Sequence, residues 1–177
     1  MIRPIVKVPN KILTTQVKPV KRFDAKLHKL IIDMKDTLHA ARDPEGVGLA
    51  ATQIGVPVSV FIMRPTKSAL YTVCINPHIL SSEGTAEIKK KKEPRLEGCL
   101  SIDNIWSPVV RTNKVELAYQ DEKGAQHRNI FTRFPAVIVQ HEVDHLNGVL
   151  FTQRSLEQGR PLYQEFDGEL KKVDLPG

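Results

Sequence analysis

Apolar positions along the chain fall into blocks of different period, and each period predicts a different element. Behind Asp24, an N-cap residue type, Leu27, Leu30, Ile31, Met34, Leu38 and Ala41 recur at three- and four-residue spacing. That is the stripe of an amphipathic helix over residues 25–41 with one face on a core. Residues 43–46, Asp-Pro-Glu-Gly, end it. A second helix opens at Thr132 or Phe134, tolerates Pro135 in its first turn, and stops at Gly148 after Asn147. Its run Ala136-Val137-Ile138-Val139 is apolar all round, which predicts burial on most sides. Between the helices, 58–63, 71–75 and 79–80 read as strands, with turns at Arg64-Pro65 and Asn76-Pro77. Residues 115–119 and 126–131 flank Asp121-Glu122-Lys123-Gly124, a hairpin signal. Prolines 4 and 9 break the apolar stretches of residues 1–16, which predicts extended, packed chain. The polar segment 152–177 reads as a half-ordered tail with one edge strand from Glu169 onward.

Composition narrows the class without naming a function. A length of 177 residues suggests one domain, 1–177, large enough to bury a core without staples. No apolar run reaches membrane-spanning length and the first thirty residues lack a signal-peptide core, so a cytoplasmic protein with no membrane partner is expected. Two cysteines in such a chain are free, catalytic or metal-bound sooner than bridged; Cys74, between apolar neighbours, reads as a small buried hydrophobe. The net charge of +6 owes much to Lys89, Lys90, Lys91 and Lys92. A solvated loop or hairpin tip is the favoured reading, and a transient contact with anionic ribosomal RNA the other. No nucleic-acid motif accompanies the lysines.

Chemistry concentrates in His141-Glu142-Val143-Asp144-His145. On a helix, residues four apart share a face, so both imidazoles can meet one metal ion while Glu142 stays free to handle protons. Two structural histidines on a partly buried helix is the blander alternative. A hydrolytic site wants a third ligand and an open position. Phe151 occupies the place of a third histidine in the metzincin pattern, and Glu165, at a thermolysin-like distance, sits in a polar stretch without a helical stripe. Cys99, between Gly98 and Leu100, is the better choice: the glycine leaves room beside the sulfur, and thiolate with two imidazoles suits iron(II), zinc or nickel. The glycine-rich run 46–55 is no phosphate loop, because its spacing is wrong and no Lys-Ser/Thr pair follows. Within it Gln53 is either a satisfied core amide or a functional one.

Three segments, Gly46-Val-Gly-Leu-Ala-Ala-Thr-Gln53, Glu97-Gly-Cys-Leu-Ser101 and Gln140-His-Glu-Val-Asp-His145, resemble the signature motifs of peptide deformylases, in the family's order. The similarity runs through about residues 1–155. It implies an α+β fold of mostly antiparallel strands packed around a central metal-binding helix. It also implies hydrolysis of the N-formyl group from N-formyl-methionyl peptides, with an HExxH metallopeptidase as the alternative. By the same resemblance Cys99, His141 and His145 hold one divalent metal, Fe(II) in the cell and zinc or nickel as isolated. Glu142 moves the proton, the Gln53 amide and Leu100 N–H meet the oxyanion, and Glu97 pairs with Arg111. Val47 and Gly48 can offer a sheet edge to an extended substrate. Val137 and Ile138, one turn before His141, can line a methionine pocket or simply be core. Asp144 can orient a ligand histidine or face solvent, and a monomer is expected. Two departures stand out: Asp103 follows Ile102 where the family usually has proline, and the approach to the helix through Pro135 lacks the usual glycine.

Overall fold

The computed structural model describes residues 1–42, 46–85 and 96–173. The helix stop at 43–45 and Lys89, Lys90, Lys91 and Lys92 lie outside the described residues. Within them, three α-helices accompany two antiparallel sheets. The first sheet joins β1 (Gly48–Ala50), β2 (Val60–Met63), β3 (Thr72–Thr85), β6 (Thr112–Gln120) and β7 (Gln126–Thr132) in the order β1-β2-β3-β6-β7. The second joins β4 (Leu96–Cys99), β5 (Ile102–Pro108), β8 (Tyr163–Phe166) and β9 (Glu169–Lys172) in that order. Every pairing within the two sheets is antiparallel.

Helix α1 (Ala25–Ala40) starts where its sequence says it should. The Asp24 carboxylate accepts from the amides of Lys26 and Leu27, satisfying two otherwise orphaned donors. Its stripe, Leu27, Ile31, Met34 and Leu38, is buried against Leu49, Ile62 and Ile75 of the first sheet. Burying each such side chain contributes roughly 1.5–3 kcal/mol. Helix α2 (Phe134–Leu146) packs on the same sheet through Ala136, Ile138, Val139 and Leu146, meeting Phe61, Val115 and Leu117. Gly148 ends it with φ +73°, and a Cβ there would lie 2.7 Å from the Thr14 backbone, so no other residue fits without moving chain.

Two expectations need correcting. Asn76-Pro77 is not a turn between strands but a bulge inside β3, where Asn76 takes φ +50°. The Asn76 side chain then accepts from Val20 N–H and donates to Val20 O and to Gln120, replacing the ladder bonds a bulge loses. Residues 152–173 are not a half-ordered tail either, and 174–177 lie outside the described residues. They form helix α3 (Phe151–Glu157) and the β8–β9 hairpin, because Trp106 and Ile105 of β5 offer a partner edge to Tyr163 and Gln164.

Candidate active site

Local structure brings the three predicted metal ligands together from two elements. His141 and His145 stand one turn apart on α2, their rings 4.9 Å between centroids and nearly perpendicular. Cys99 is the last residue of β4, at the tight Leu100-Ser101 turn into β5, where it pairs with Ile102. The candidate donor atoms of Cys99, His141 and His145 lie within 4.8 Å of one another, and Cys99 Sγ sits 3.2 Å from His145 Nε2. The space beside Gly98 is not left for the sulfur, however: a Cβ there would meet the Trp106 ring at 2.7 Å. Glycine is needed so that the indole can lie on the strand.

Electrostatics prepare these groups for a cation. Burial alone would push the Cys99 thiol up, but the two imidazoles outweigh it and hold the group well below the usual thiol range. The surroundings thus favour the thiolate, the form that ligates. Burial would lower His141, yet Cys99 and Glu97 hold it well above its usual value. Glu142, 3% exposed, is pushed up to about 7 by burial, against the pull of the two histidines. Its Oε2 and the Nδ1 of His145 are buried without a protein partner. A thiolate and two imidazoles make a donor set that fits a divalent cation with an open position, and the unmet carboxylate oxygen of Glu142 is left over for proton handling.

Behind the ligands runs a chain of alternating charges. His141 Nδ1 meets Glu97 Oε2 at 3.1 Å, which leaves Nε2 for ligation. Arg111 grips both Glu97 oxygens, at 2.9 and 3.0 Å, and also donates to Asp144. The Asp144 carboxylate is engaged by arginines and not by the histidine rings: it braces Arg111 and is itself held by Arg154 of α3, at 2.8 Å from Nη2. Gln140 ties α2 to β6, accepting from the Thr112 N–H and donating to the Thr112 carbonyl. Sequence reasoning missed Arg154 and gave Gln140 no role. The one signal at 154 was a basic residue ten positions after Asp144.

The amide of Gln53 is oriented, not free. Its Oε1 accepts from Ala50 N–H at 2.9 Å, so Nε2 must face Cys99 Sγ at 3.4 Å and Ser101 Oγ at 3.3 Å. Leu100 lies half-buried in the turn between Cys99 and Ser101. Gly48 sits in the edge strand β1, pressed so close to α2 that a Cβ would fall 2.3 Å from Glu142 Oε1 and 2.9 Å from Ile138 Cγ2. Val47 precedes it, half-buried, its carbonyl accepting from Arg64 N–H. Ile138 is 3% exposed within the core, and Val137 beside it is half-buried. The rejected ligand positions have other occupations: Phe151 stacks on His141 at 6.1 Å, and Glu165 accepts from Trp106 Nε1 at 2.7 Å. Cys74 is fully buried and burial pushes its thiol up, as for a small hydrophobe.

The sequence model of the polypeptide deformylase family matches residues 2–160. The chain belongs to the peptide deformylase family. Curated peptide deformylases agree: that of Aquifex aeolicus is 42% identical over 158 residues, covering 87% of this chain and 88% of its own. That of Mesorhizobium japonicum is 37% identical over 179 residues, covering 99% and 97%. The Legionella pneumophila peptide deformylase structure superposes with TM-score 0.77 at 37% identity, over 87% of this chain and 86% of its own. A Synechococcus elongatus peptide deformylase solved in complex with actinonin gives TM-score 0.75 at 34% identity, over 87% and 80%. Members of the family are metal-dependent hydrolases that remove N-formyl groups, and the α+β fold of antiparallel sheets and three helices is theirs. No helix among the described residues is long and apolar enough to cross a membrane.

Proposed function

We propose that the chain hydrolyses the formamide of N-formyl-methionyl peptides, the starting end of new polypeptides, to formate and a free amine. The observation that carries this reading is a thiolate and two imidazoles clustered beside a buried carboxylate, with an oriented primary amide turned toward the sulfur. Cys99, His141 and His145 hold the metal, which makes α2 the metal-binding helix at the centre of the fold. Fe(II) is the ion in the cell, and zinc or nickel replaces it on isolation. When bound, the cation supplies Lewis acidity, acidifying water and drawing charge from the formyl oxygen.

The protein's own groups do the rest. Glu142 takes a proton from the attacking water and hands it to the leaving nitrogen; burial raises its carboxyl, which suits a group that must hold that proton between the two steps. Gln53 Nε2 and the Leu100 N–H meet the charge developing on the carbonyl oxygen, held in place beforehand by the Ala50 bond and the β4–β5 turn. Glu97 fixes the ring of His141. The edge strand β1, beginning at Gly48, and Val47 just before it pair with the extended peptide, and Val137 and Ile138 wall the methionine side chain. The protein acts as a monomer in the cytoplasm, and its net charge of +6 favours a transient ribosome contact.

Enzyme purified and metal-analysed under anaerobic conditions is given a formyl-methionyl tripeptide and, separately, casein. Formate release with casein intact, blocked by actinonin and lost in Glu142→Gln, supports the reading. Cleaved casein with the formyl peptide untouched favours the HExxH metallopeptidase instead.

A further inference from the structure

Asp103, where the chain departs from the family's usual proline, is not idle. Its carboxylate pairs with Lys7 Nζ, and the same ammonium donates to the Leu100 carbonyl at 2.7 Å. Lys7 lies in an N-terminal arm that touches both proposed oxyanion segments. Val6 N–H donates to the Gln53 carbonyl at 2.8 Å and Val8 N–H to the Ser101 carbonyl at 3.1 Å. The peptide unit that Lys7 grips, Leu100–Ser101, has the Ser101 N–H at its other end, and that N–H donates to Cys99 Sγ at 3.4 Å.

A cation on an amide oxygen draws electron density through the peptide bond and strengthens the N–H as a donor, the cooperative effect of linked hydrogen bonds. Here the strengthened donor points at the sulfur. Backbone N–H groups aimed at a ligating thiolate reduce the charge it gives to its metal, so the metal keeps more of its Lewis acidity. Both ends of the ion pair are well exposed, 45% for Lys7 and 65% for Asp103. Such a pair adds little to stability, so any benefit must be sought at the peptide it holds.

We propose that Lys7, steadied by Asp103, is a positioning residue that fixes and polarises the Leu100–Ser101 peptide, tuning the Cys99 thiolate and the adjoining Leu100 N–H. The inference rests on the reading of Cys99 as metal ligand and Leu100 as oxyanion donor. It belongs to this chain in particular, because a proline at 103 offers nothing for an ammonium to pair with.

The test uses holoenzyme reconstituted with Co(II), comparing wild type, Lys7→Met and Lys7→Arg. Lys7→Met keeps the side chain's length and is expected to lower kcat about fivefold, the size of one lost charge-assisted hydrogen bond partly replaced by water. KM should stay within about twofold and the thermal midpoint should hold. Its sulfur-to-cobalt charge-transfer band should move to lower energy, because a less polarised N–H leaves the sulfur a stronger donor. Lys7→Arg should restore the band and the rate together. A Lys7→Met band that superimposes on wild type overturns the proposal, whatever the activity does. So does a rate loss that tracks a fall in thermal midpoint. A wild-type spectrum with no sulfur-to-cobalt band is a different failure, that of the ligand assignment beneath it.

Discussion

Replacing Arg111 by methionine removes a cation shared by two buried carboxylates. Arg111 is 6% exposed and donates through all three guanidinium nitrogens, to both oxygens of Glu97 and to one of Asp144. Without it Glu97, itself 9% exposed, keeps His141 alone as a side-chain partner among the described residues, whereas Asp144 keeps the fork of Arg154. Breaking a buried pair by deleting one side costs about 3–5 kcal/mol. Because one of the two orphaned carboxylates retains an arginine, the expected loss is near the lower figure, about 3 kcal/mol. Set against a total of about 5–15 kcal/mol, the variant still folds. Its thermal midpoint falls by about 6–12 °C, at 2–4 °C per kcal/mol for a chain of this size. Urea unfolding of the metal-loaded protein measures the loss directly, and the rate of metal release to a chelator should rise, since Glu97 no longer has a fixed position from which to hold His141. The decisive control is Glu97→Gln combined with Arg111→Met. The amide still accepts from His141 but carries no charge to strand, so the double variant should regain at least about 1 kcal/mol over Arg111→Met. A single-variant loss under about 1 kcal/mol, or a double variant less stable than the single, would refute the buried-charge account.

Three further outcomes follow from the site and its surroundings. Gln53→Ala should bind metal normally yet lose about 10²–10³-fold in kcat, the usual cost of one oxyanion donor; unchanged turnover in a formate-release assay removes the residue from the mechanism. Gly48→Ala places a methyl 2.3 Å from Glu142 Oε1 and 2.9 Å from Ile138, both on α2. It should therefore depress kcat severely while metal content, read by elemental analysis, stays at wild type. At the β6–β7 turn, the hydrogen bond from His127 holds Asp121 below the usual carboxylate range, helped by the Lys123 and Ala125 amides. A carboxylate depressed on folding stabilises fully above its unfolded value, about 3.9, and stops doing so as pH falls through the lower folded one. The stability gap between wild type and Asp121→Asn should accordingly be flat above pH about 4 and shrink below it, by urea unfolding; a gap independent of pH contradicts the assignment.

What the sequence determined by itself was whatever neighbours within a turn or a strand can specify. Asp24 and the spacing of Leu27, Ile31, Met34 and Leu38 define α1 because cap and stripe act over three or four residues. The same periodicity puts His141 and His145 on one face of α2, and Asp121-Glu122-Lys123-Gly124 closes its hairpin as written. Donor chemistry singled out Cys99 among the candidate third ligands and the family resemblance agreed, but no local pattern could join it to a histidine 46 residues further on. Only the tertiary structure decided the rest. It made Asn76-Pro77 a bulge, because Val20 and Gln120 were there to take the freed hydrogen bonds. It turned residues 151–172 into a helix and a hairpin, since a seven-residue helix burying little more than Phe151 and Ser155 has too short a stripe to read, and the β8–β9 hairpin joins its sheet through the β5 edge. It also extended the expected Glu97–Arg111 pair through Asp144 and Arg154 into one brace behind His141, and seated Lys7 on the Leu100 carbonyl. The physical reason is range. Propensity and period are summed over a few bonds of chain, whereas a buried charge or a thiolate is satisfied by whichever partner packing delivers, however far away it lies in sequence.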